Sequence, residues 1–375
     1  MIYFDNASTT AILPDVAKKM YESMLKYIGN PSSLHSLGFK TEQVVTRARE
    51  QVAKAMGVNA KNIYFTSGGT EANNTAVIGT ALAYKSRGMR VITQVTEHPS
   101  VTDAFSHLEE AGFDVVRLPV DKDGHIDIAN LSENVNENTT LVSVMYINNE
   151  TGAMQDINAV IKAVKAKNPN CRVHCDCVQA FCKHALPTKA DLISVSSHKI
   201  GGPKGVGALY VSDGTRFENL HFGGSQEKGL RPGTENLTGI IGFGCAAELS
   251  CQNLAKKAEN VLNIKNELLK LSDLLPDVYI NGALDSPYIL NLSFAGVRGE
   301  VLLHALEAEE IYTATSSACS SKLKNKLKIV DLLNEGRGES ALRLSFNADN
   351  TVEEAIKVRD AIVKNVPLLR KFKPR

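Results

Sequence analysis

The stretch Leu192-Ile-Ser-Val-Ser-Ser-His-Lys-Ile-Gly-Gly-Pro-Lys-Gly205 changes character partway along. It opens apolar and β-branched, as a strand does. Gly201, Gly202 and Pro203 then form a turn that no helix continues through. Ser196, Ser197, His198 and Lys199 stand between, at the strand's end. A lysine held there beside hydroxyls and an imidazole suits Schiff-base chemistry. Partial desolvation lets its amine shed a proton, and the neighbours are placed to hold the anionic group of a bound cofactor. On its own the segment reads equally as a surface loop with one more solvated lysine, so the rest of the chain decides.

Working outward, short β-branched runs alternate with segments of helical period from about residue 40 to 250. Strands are expected at Asn62–Thr66, Arg90–Val95, Val115–Leu118, Thr140–Met145, Arg172–Cys175, Asp191–Val195 and Gly207–Val211. Helices are expected at Thr41–Met56, Glu71–Ser86, Ser100–Ala111 and Ile157–Lys167. The alternation predicts an α/β fold with a mostly parallel, seven-stranded, doubly covered sheet. Beyond Ser250 the texture shifts. A long amphipathic helix over Cys251–Leu275, stopped by Pro276, leads into strands at Tyr288–Ser293 and Ala341–Phe346 and helices at Gly299–Ala308 and Thr351–Lys364. The expected organisation is a large domain over 14–250, and a smaller α+β domain formed by 1–13 and 251–375.

At 375 residues the chain is long for a single core, and 43% hydrophobic with 22% charged residues argues against disorder. Forty-two basic against 41 acidic residues leave no net field to attract nucleic acid or a membrane surface. No apolar run reaches the roughly 18–20 residues of a membrane span. Seven cysteines, an odd number with no leader-like start, point to reduced thiols and a cytoplasmic location.

Ligands of open α/β sheets bind at the carboxyl ends of strands, and these ends are chemically rich. Ser67-Gly-Gly-Thr70 is a glycine turn opening a helix, suited to a phosphate. His98 is a ring available for stacking, and Asn148 and Asn149 offer amides. Asp176, followed by Gln179, ends an apolar strand, and a carboxylate there needs a cationic partner. A protonated pyridine nitrogen is one. An aspartate for that nitrogen and a lysine for a Schiff base are how proteins hold pyridoxal phosphate. Each residue alone reads as structural; together they point to that cofactor.

Cys319, in Thr315-Ser-Ser-Ala-Cys-Ser-Ser321, sits among small hydroxylated residues with three lysines following, which favours a mobile loop and a reactive thiol over a packed one. Cys171, Cys175, Cys177 and Cys182 cluster around Asp176, but their spacing matches no usual zinc pattern and they read as buried structural thiols; no metal is expected.

At this point the chain resembles the pyridoxal-phosphate cysteine desulfurases, within the fold-type I, class V aminotransferase superfamily, over essentially its whole length. The matching segments are Phe4–Thr10, Gly29–His35, Phe65–Glu71, Thr96–His98, Asn148–Glu150, His174–Gln179, Ser196–Lys199, Gly201–Gly205, Gly229–Glu235 and Ser317–Ser321. The Ser-Ala-Cys-Ser-Ser form is similar to the branch with the longer cysteine loop. The resemblance implies a role for each matching residue. Lys199 carries the cofactor and moves protons at the substrate α-carbon. Asp176 pairs with the pyridine nitrogen, and His98 stacks on the ring. Gln179 and Asn149 bond the ring oxygen or the substrate, and Gly69, Thr70, Ser196 and His198 hold the phosphate. Thr234 reaches the phosphate in the other subunit of a homodimer. Arg343, with Asn30, binds the substrate carboxylate.

The implied reaction converts L-cysteine to L-alanine and leaves the sulfur on Cys319 as a persulfide. It is then delivered to an acceptor protein for iron–sulfur cluster assembly or for tRNA or cofactor thiolation. Other readings on the same fold are a selenocysteine lyase, another lyase or aminotransferase, or an inactive sulfur-relay homologue. Two positions depart from the family pattern: Asn347 stands where glycine is usual, and Lys322–Lys328 is unusually basic.

Overall fold

A computed structural model describes residues 1–315 and 328–371. In chain order the strands are β1 (Ile2–Tyr3), β2 (Ile63–Thr66), β3 (Arg90–Gln94), β4 (Asp114–Leu118), β5 (Thr139–Met145), β6 (Arg172–Asp176), β7 (Leu192–Ser196), β8 (Gly207–Val211), β9 (Val278–Ile280), β10 (Ile289–Phe294), β11 (Ile311–Tyr312) and β12 (Ala341–Ser345). Seven of them form one sheet in the order β2-β8-β7-β6-β5-β3-β4. The pairs β3–β4, β3–β5, β5–β6 and β6–β7 are parallel, whereas β8 runs antiparallel to both its neighbours. Reversing β8 alone leaves the other six strands pointing one way. The ends of β2, β3, β5, β6 and β7 therefore share a single rim, and the sheet is mostly parallel.

Strands covered on both faces are apolar throughout, and every residue of β5, β7 and β8 is buried. The covering helices follow from local chemistry. Asp156 accepts from Ala159 N at 3.0 Å and starts the helix Ile157–Lys167. Ile157, Val160, Ile161 and Val164, at helical spacing, form its buried stripe. Each such side chain contributes about 1.5–3 kcal/mol on burial. In the same core, helix Leu237–Ser250 is apolar around most of its circumference and has no period to read from sequence. It packs so closely that a Cβ on Gly244 would meet Ala48 Cα at 2.8 Å, and one on Gly242 would meet Met20 Sδ at 2.7 Å.

A three-stranded antiparallel sheet, β12-β10-β9, has a core of its own that includes Phe4, Ile264, Leu292, Phe294, Leu344 and Ile362. The N-terminus belongs to it: β1 pairs parallel with β11, and Asp5 bridges Ser345.

Several helices depart from expectation. The first long one starts at Ser36, five residues before the expected Thr41, because His35 Nδ1 caps Gly38 N. The helix expected at Glu71–Ser86 starts at Gly69 and passes through a π-helical turn at Thr75–Gly79. The helix expected over Cys251–Leu275 starts only at Leu254, because Cys251 still belongs to the end of the preceding helix and Asn253 turns left-handed with φ 55°, and it divides at Lys270 into Leu254–Leu269 and Leu271–Leu274. The last helix runs on past Pro367 to Lys371, as the ring removes one donor close to the helix end. No helix among the described residues is long and apolar enough to cross a membrane.

Candidate active site

The site lies on the shared rim. β7 ends in Ser196 and passes into a short turn carrying His198 and Lys199. β6 ends in Asp176. The loop after β5 carries Asn148, Asn149 and Glu150, and His98 caps the helix Pro99–Glu110 after β3. Gly69 and Thr70 open the helix after β2.

Lys199 reaches across to the N-terminal segment, where Nζ donates to Ala7 O and Ser8 O, both at 2.6 Å. Neither acceptor is a carboxylate. Burial, with the cations of Lys183 and Arg343, pulls its pKa down to about 8 against the opposing pull of Asp5 and Asp176. An appreciable share of this amine is thus neutral, and nucleophilic, near neutral pH. The adjoining His198 shares a bond with Thr9 Oγ1 at 3.1 Å, and burial together with Lys199 and Lys204 lowers its pKa to about 4. It is neutral under ordinary conditions.

Asp176 is 3% exposed. Its carboxylate accepts from Asn73 Nδ2 at 2.7 Å and Val178 N at 2.9 Å, which fixes its orientation at the strand end. His98 Nδ1 meets Ser100 Oγ at 2.7 Å, and burial lowers the pKa of the ring. Behind it, burial and the charge of Asp176 push the pKa of Glu97 well up. Glu150 is likewise raised by burial, to about 7, against Arg343 and Lys328.

Arg343, on β12, brings the smaller sheet to this rim. Its guanidinium holds Asp5 Oδ1 at 2.7 Å, Ser8 Oγ at 2.5 Å and Asn149 O at 3.0 Å. Its Nε is buried without a partner among the described residues.

A cleft of about 420 Å³ opens beside Lys199, lined in part by Ser8, Gly69, Thr70, Ser196 and His198. The first N–H groups of a helix have no intrahelical acceptor, and those of Gly69 and Thr70 lie at this cleft. Ser196 Oγ, Gln179 Oε1 and Asn149 Oδ1 are buried around the rim with no hydrogen-bond partner among the described residues. Buried polar atoms of native proteins are seldom left unmatched. Such a set fits a polar ligand with one anionic end.

Of the residues singled out from sequence, the rim thus brings together Lys199, Asp176, Gln179, His98, Asn149, Gly69, Thr70, Ser196, His198 and Arg343. Asn30 is exposed and its Oδ1 accepts from Ser32 N within its own turn, with no described bond to Arg343. Thr234 is exposed. Cys319 lies outside the described residues. Sequence reasoning gave no role to the carbonyls of Ala7 and Ser8, to Thr9 or to Asn73, although all lie in or beside segments it quoted. Their part is set by contacts between segments 100 or more positions apart.

Four of the clustered cysteines, Cys171, Cys175, Cys177 and Cys182, are buried. Among the described residues, no group of three or more His, Cys, Asp and Glu side chains is arranged to hold a metal ion.

Comparison with known proteins gives the same picture. The class-V aminotransferase family model matches residues 2–358. A cysteine desulfurase IscS of Clostridium botulinum is 38% identical over 100% of this chain and 96% of its own length. A NifS/IcsS protein homolog of Lactobacillus delbrueckii subsp. bulgaricus is 43% identical, covering 95% of this chain and 94% of its own. Among solved structures, a NifS-like protein superposes with a TM-score of 0.92 at 33% identity, over 98% of this chain and 100% of that one. The chain belongs to the class-V aminotransferase family, among its cysteine desulfurases.

Proposed function

We propose that the protein is a pyridoxal-phosphate enzyme that takes sulfur from L-cysteine, releases L-alanine and passes the sulfur through Cys319. The observation that carries this reading is Lys199: a half-buried amine with a pKa lowered to about 8, held by the carbonyls of Ala7 and Ser8 beside a cleft into whose lining Ser196 brings a hydroxyl with no partner among the described residues. The wall fits the cofactor. Gly69, Thr70, Ser196 and His198 would take its phosphate, Asp176 its ring nitrogen, Gln179 its ring oxygen, and His98 one ring face. When bound, pyridoxal phosphate supplies a carbonyl carbon for an amine and a ring that withdraws the electron pair left when a proton leaves the α-carbon.

The chain's own residues do the rest. Lys199 Nζ would carry the cofactor, and would take the proton from the substrate α-carbon and return it. Asp176 would face the ring nitrogen, with Asn73 and Val178 N orienting it. Arg343 offers its free Nε to the substrate carboxylate, with Asn30 assisting. The Cys319 sulfur bonds to the sulfur of the substrate as the carbon–sulfur bond breaks, and alanine leaves after gaining protons.

Exposed apolar side chains on the helix Pro14–Lys26, among them Tyr21, Met24 and Leu25, and the exposed Phe222 favour a homodimer in which Thr234 completes the partner's phosphate site. The sulfur acceptor is a protein of cluster assembly or thiolation, and the reaction is cytoplasmic. The test is to measure alanine and sulfide formed from L-cysteine by the yellow holoenzyme and by Lys199→Ala and Cys319→Ala. Sulfide persisting in Cys319→Ala would refute the persulfide route.

A further inference from the structure

Cys182 and Cys251 place their Sγ atoms 2.8 Å apart, and the proposed reaction uses neither. Cys182 lies in the turns after β6, at a φ of 55° that residues other than glycine seldom adopt. Cys251 caps the helix Leu237–Ser250. Both are free thiols. The contact is too short for two ligands of one tetrahedral zinc, which at bond lengths of about 2.3 Å stand about 3.7 Å apart. A disulfide, at about 2.05 Å, is a small approach away.

The two sulfurs are unequal. Cys251 is partly exposed, and its bond with Cys182 and the cation of Lys257 favour its thiolate against burial. Cys182 is 6% exposed, and burial pushes its thiol up. One is an accessible nucleophile and the other a buried thiol that keeps its proton. The remaining close pair, Cys175 and Cys177 at 3.4 Å, has both residues at 0% exposure and gives a reactant no access.

We propose that Cys182 and Cys251 form a dithiol site that a hydroperoxide closes to a disulfide. Cys251 Sγ attacks one peroxide oxygen, the O–O bond breaks, the alcohol (water, from hydrogen peroxide) leaves, and Cys251 becomes a sulfenic acid. Cys182 Sγ then bonds to Cys251 Sγ. The S–O bond breaks, and the oxygen departs as water with the proton of Cys182. Two thiols lose two electrons, and the hydroperoxide gains them.

The bond would join two segments that brace the catalytic lysine. Gln179, in the turns leading to Cys182, donates to Ala7 O at 2.9 Å, the carbonyl that Lys199 also holds. Ser250, next to Cys251, donates to Ile200 O at 2.6 Å.

The test uses Cys319→Ser holoenzyme, which removes a competing thiol. It is treated with hydrogen peroxide, blocked with an alkylating agent and digested without reduction. The expected result is a chain two hydrogens lighter, a linked peptide pair carrying Cys182 and Cys251, and reversal by dithiothreitol. In the same background Cys182→Ser should leave a sulfenic acid on Cys251 that dimedone captures, and Cys251→Ser should yield no linked pair. Recovery of both cysteines alkylated as free thiols after peroxide, or linkage of either to a different cysteine, overturns the proposal. That mapping stands even where a serine variant fails to fold.

Discussion

Lys199 on the rim of the large sheet and Lys265 in the core under the small one have nearly the same local chemistry. Lys199 is half-buried and Lys265 buried, each donates to two backbone carbonyls, and each has a pKa lowered to about 8 chiefly by desolvation. Lys265, 1% exposed, holds Leu284 O and Ser286 O at 3.2 and 2.7 Å and fastens a helix to the loop before β10. Lys199 differs in what surrounds it: a cleft, a fixed aspartate, and polar atoms without partners. A depressed lysine pKa therefore does not mark a nucleophile. The unmatched polar wall and the open volume beside it do.

The comparison breaks most visibly on turnover. Lys199→Ala is expected to lower cysteine desulfuration by about a thousandfold or more, while Lys265→Met leaves the rate per folded molecule near that of the parent. A steady-state assay of alanine release on both variants decides it. Asp176→Asn should cost about a hundred- to a thousandfold, because the neutral amide no longer stabilises a charged ring nitrogen. The readout is alanine release with the cofactor confirmed bound by its absorbance.

Labelling by pH sharpens the contrast. Below the pKa the neutral share of an amine grows about tenfold per pH unit. Borohydride trapping of pyridoxal phosphate on cofactor-free protein should therefore accelerate up to about pH 8 and then level off. The label should fall on Lys199 and spare Lys265, as peptide mapping would report.

The smallest effect on turnover, but a clear one on folding, belongs to Lys265. Its folded pKa lies below the ordinary 10.5, so the unfolded chain binds the extra proton between about pH 8 and 10.5 and stability rises with pH across that window. Lys265→Met should flatten that rise. It should also cost about 1–3 kcal/mol for carbonyls left without a donor, measured by urea unfolding at several pH values.

Much of this was legible in the sequence, for reasons that can be located. The strands of the large sheet are doubly covered, so β5 and β7 announce themselves as mainly apolar, β-branched runs, and the chemistry sits at strand ends, at Asp176 closing β6 and Lys199 just past β7. The period of Ile157–Lys167 made that helix readable to the residue. Helix Leu237–Ser250 gave no period because apolar residues occupy most of its circumference, and β9, three residues long, is too short to carry a pattern. The grip of Ala7 and Ser8 on Lys199 is made by main-chain oxygens, which every residue possesses and no motif marks.

The central claim is that sulfur leaves cysteine on the rim that holds Lys199 and arrives at Cys319. Holoenzyme mixed with one equivalent of L-cysteine, quenched with an alkylating agent and mapped by mass spectrometry tests it directly. The account predicts that the Cys319 peptide gains one sulfur atom, that alanine forms in equal amount, and that neither happens in Lys199→Ala. Alanine and free sulfide appearing while the Cys319 peptide stays unchanged would contradict it.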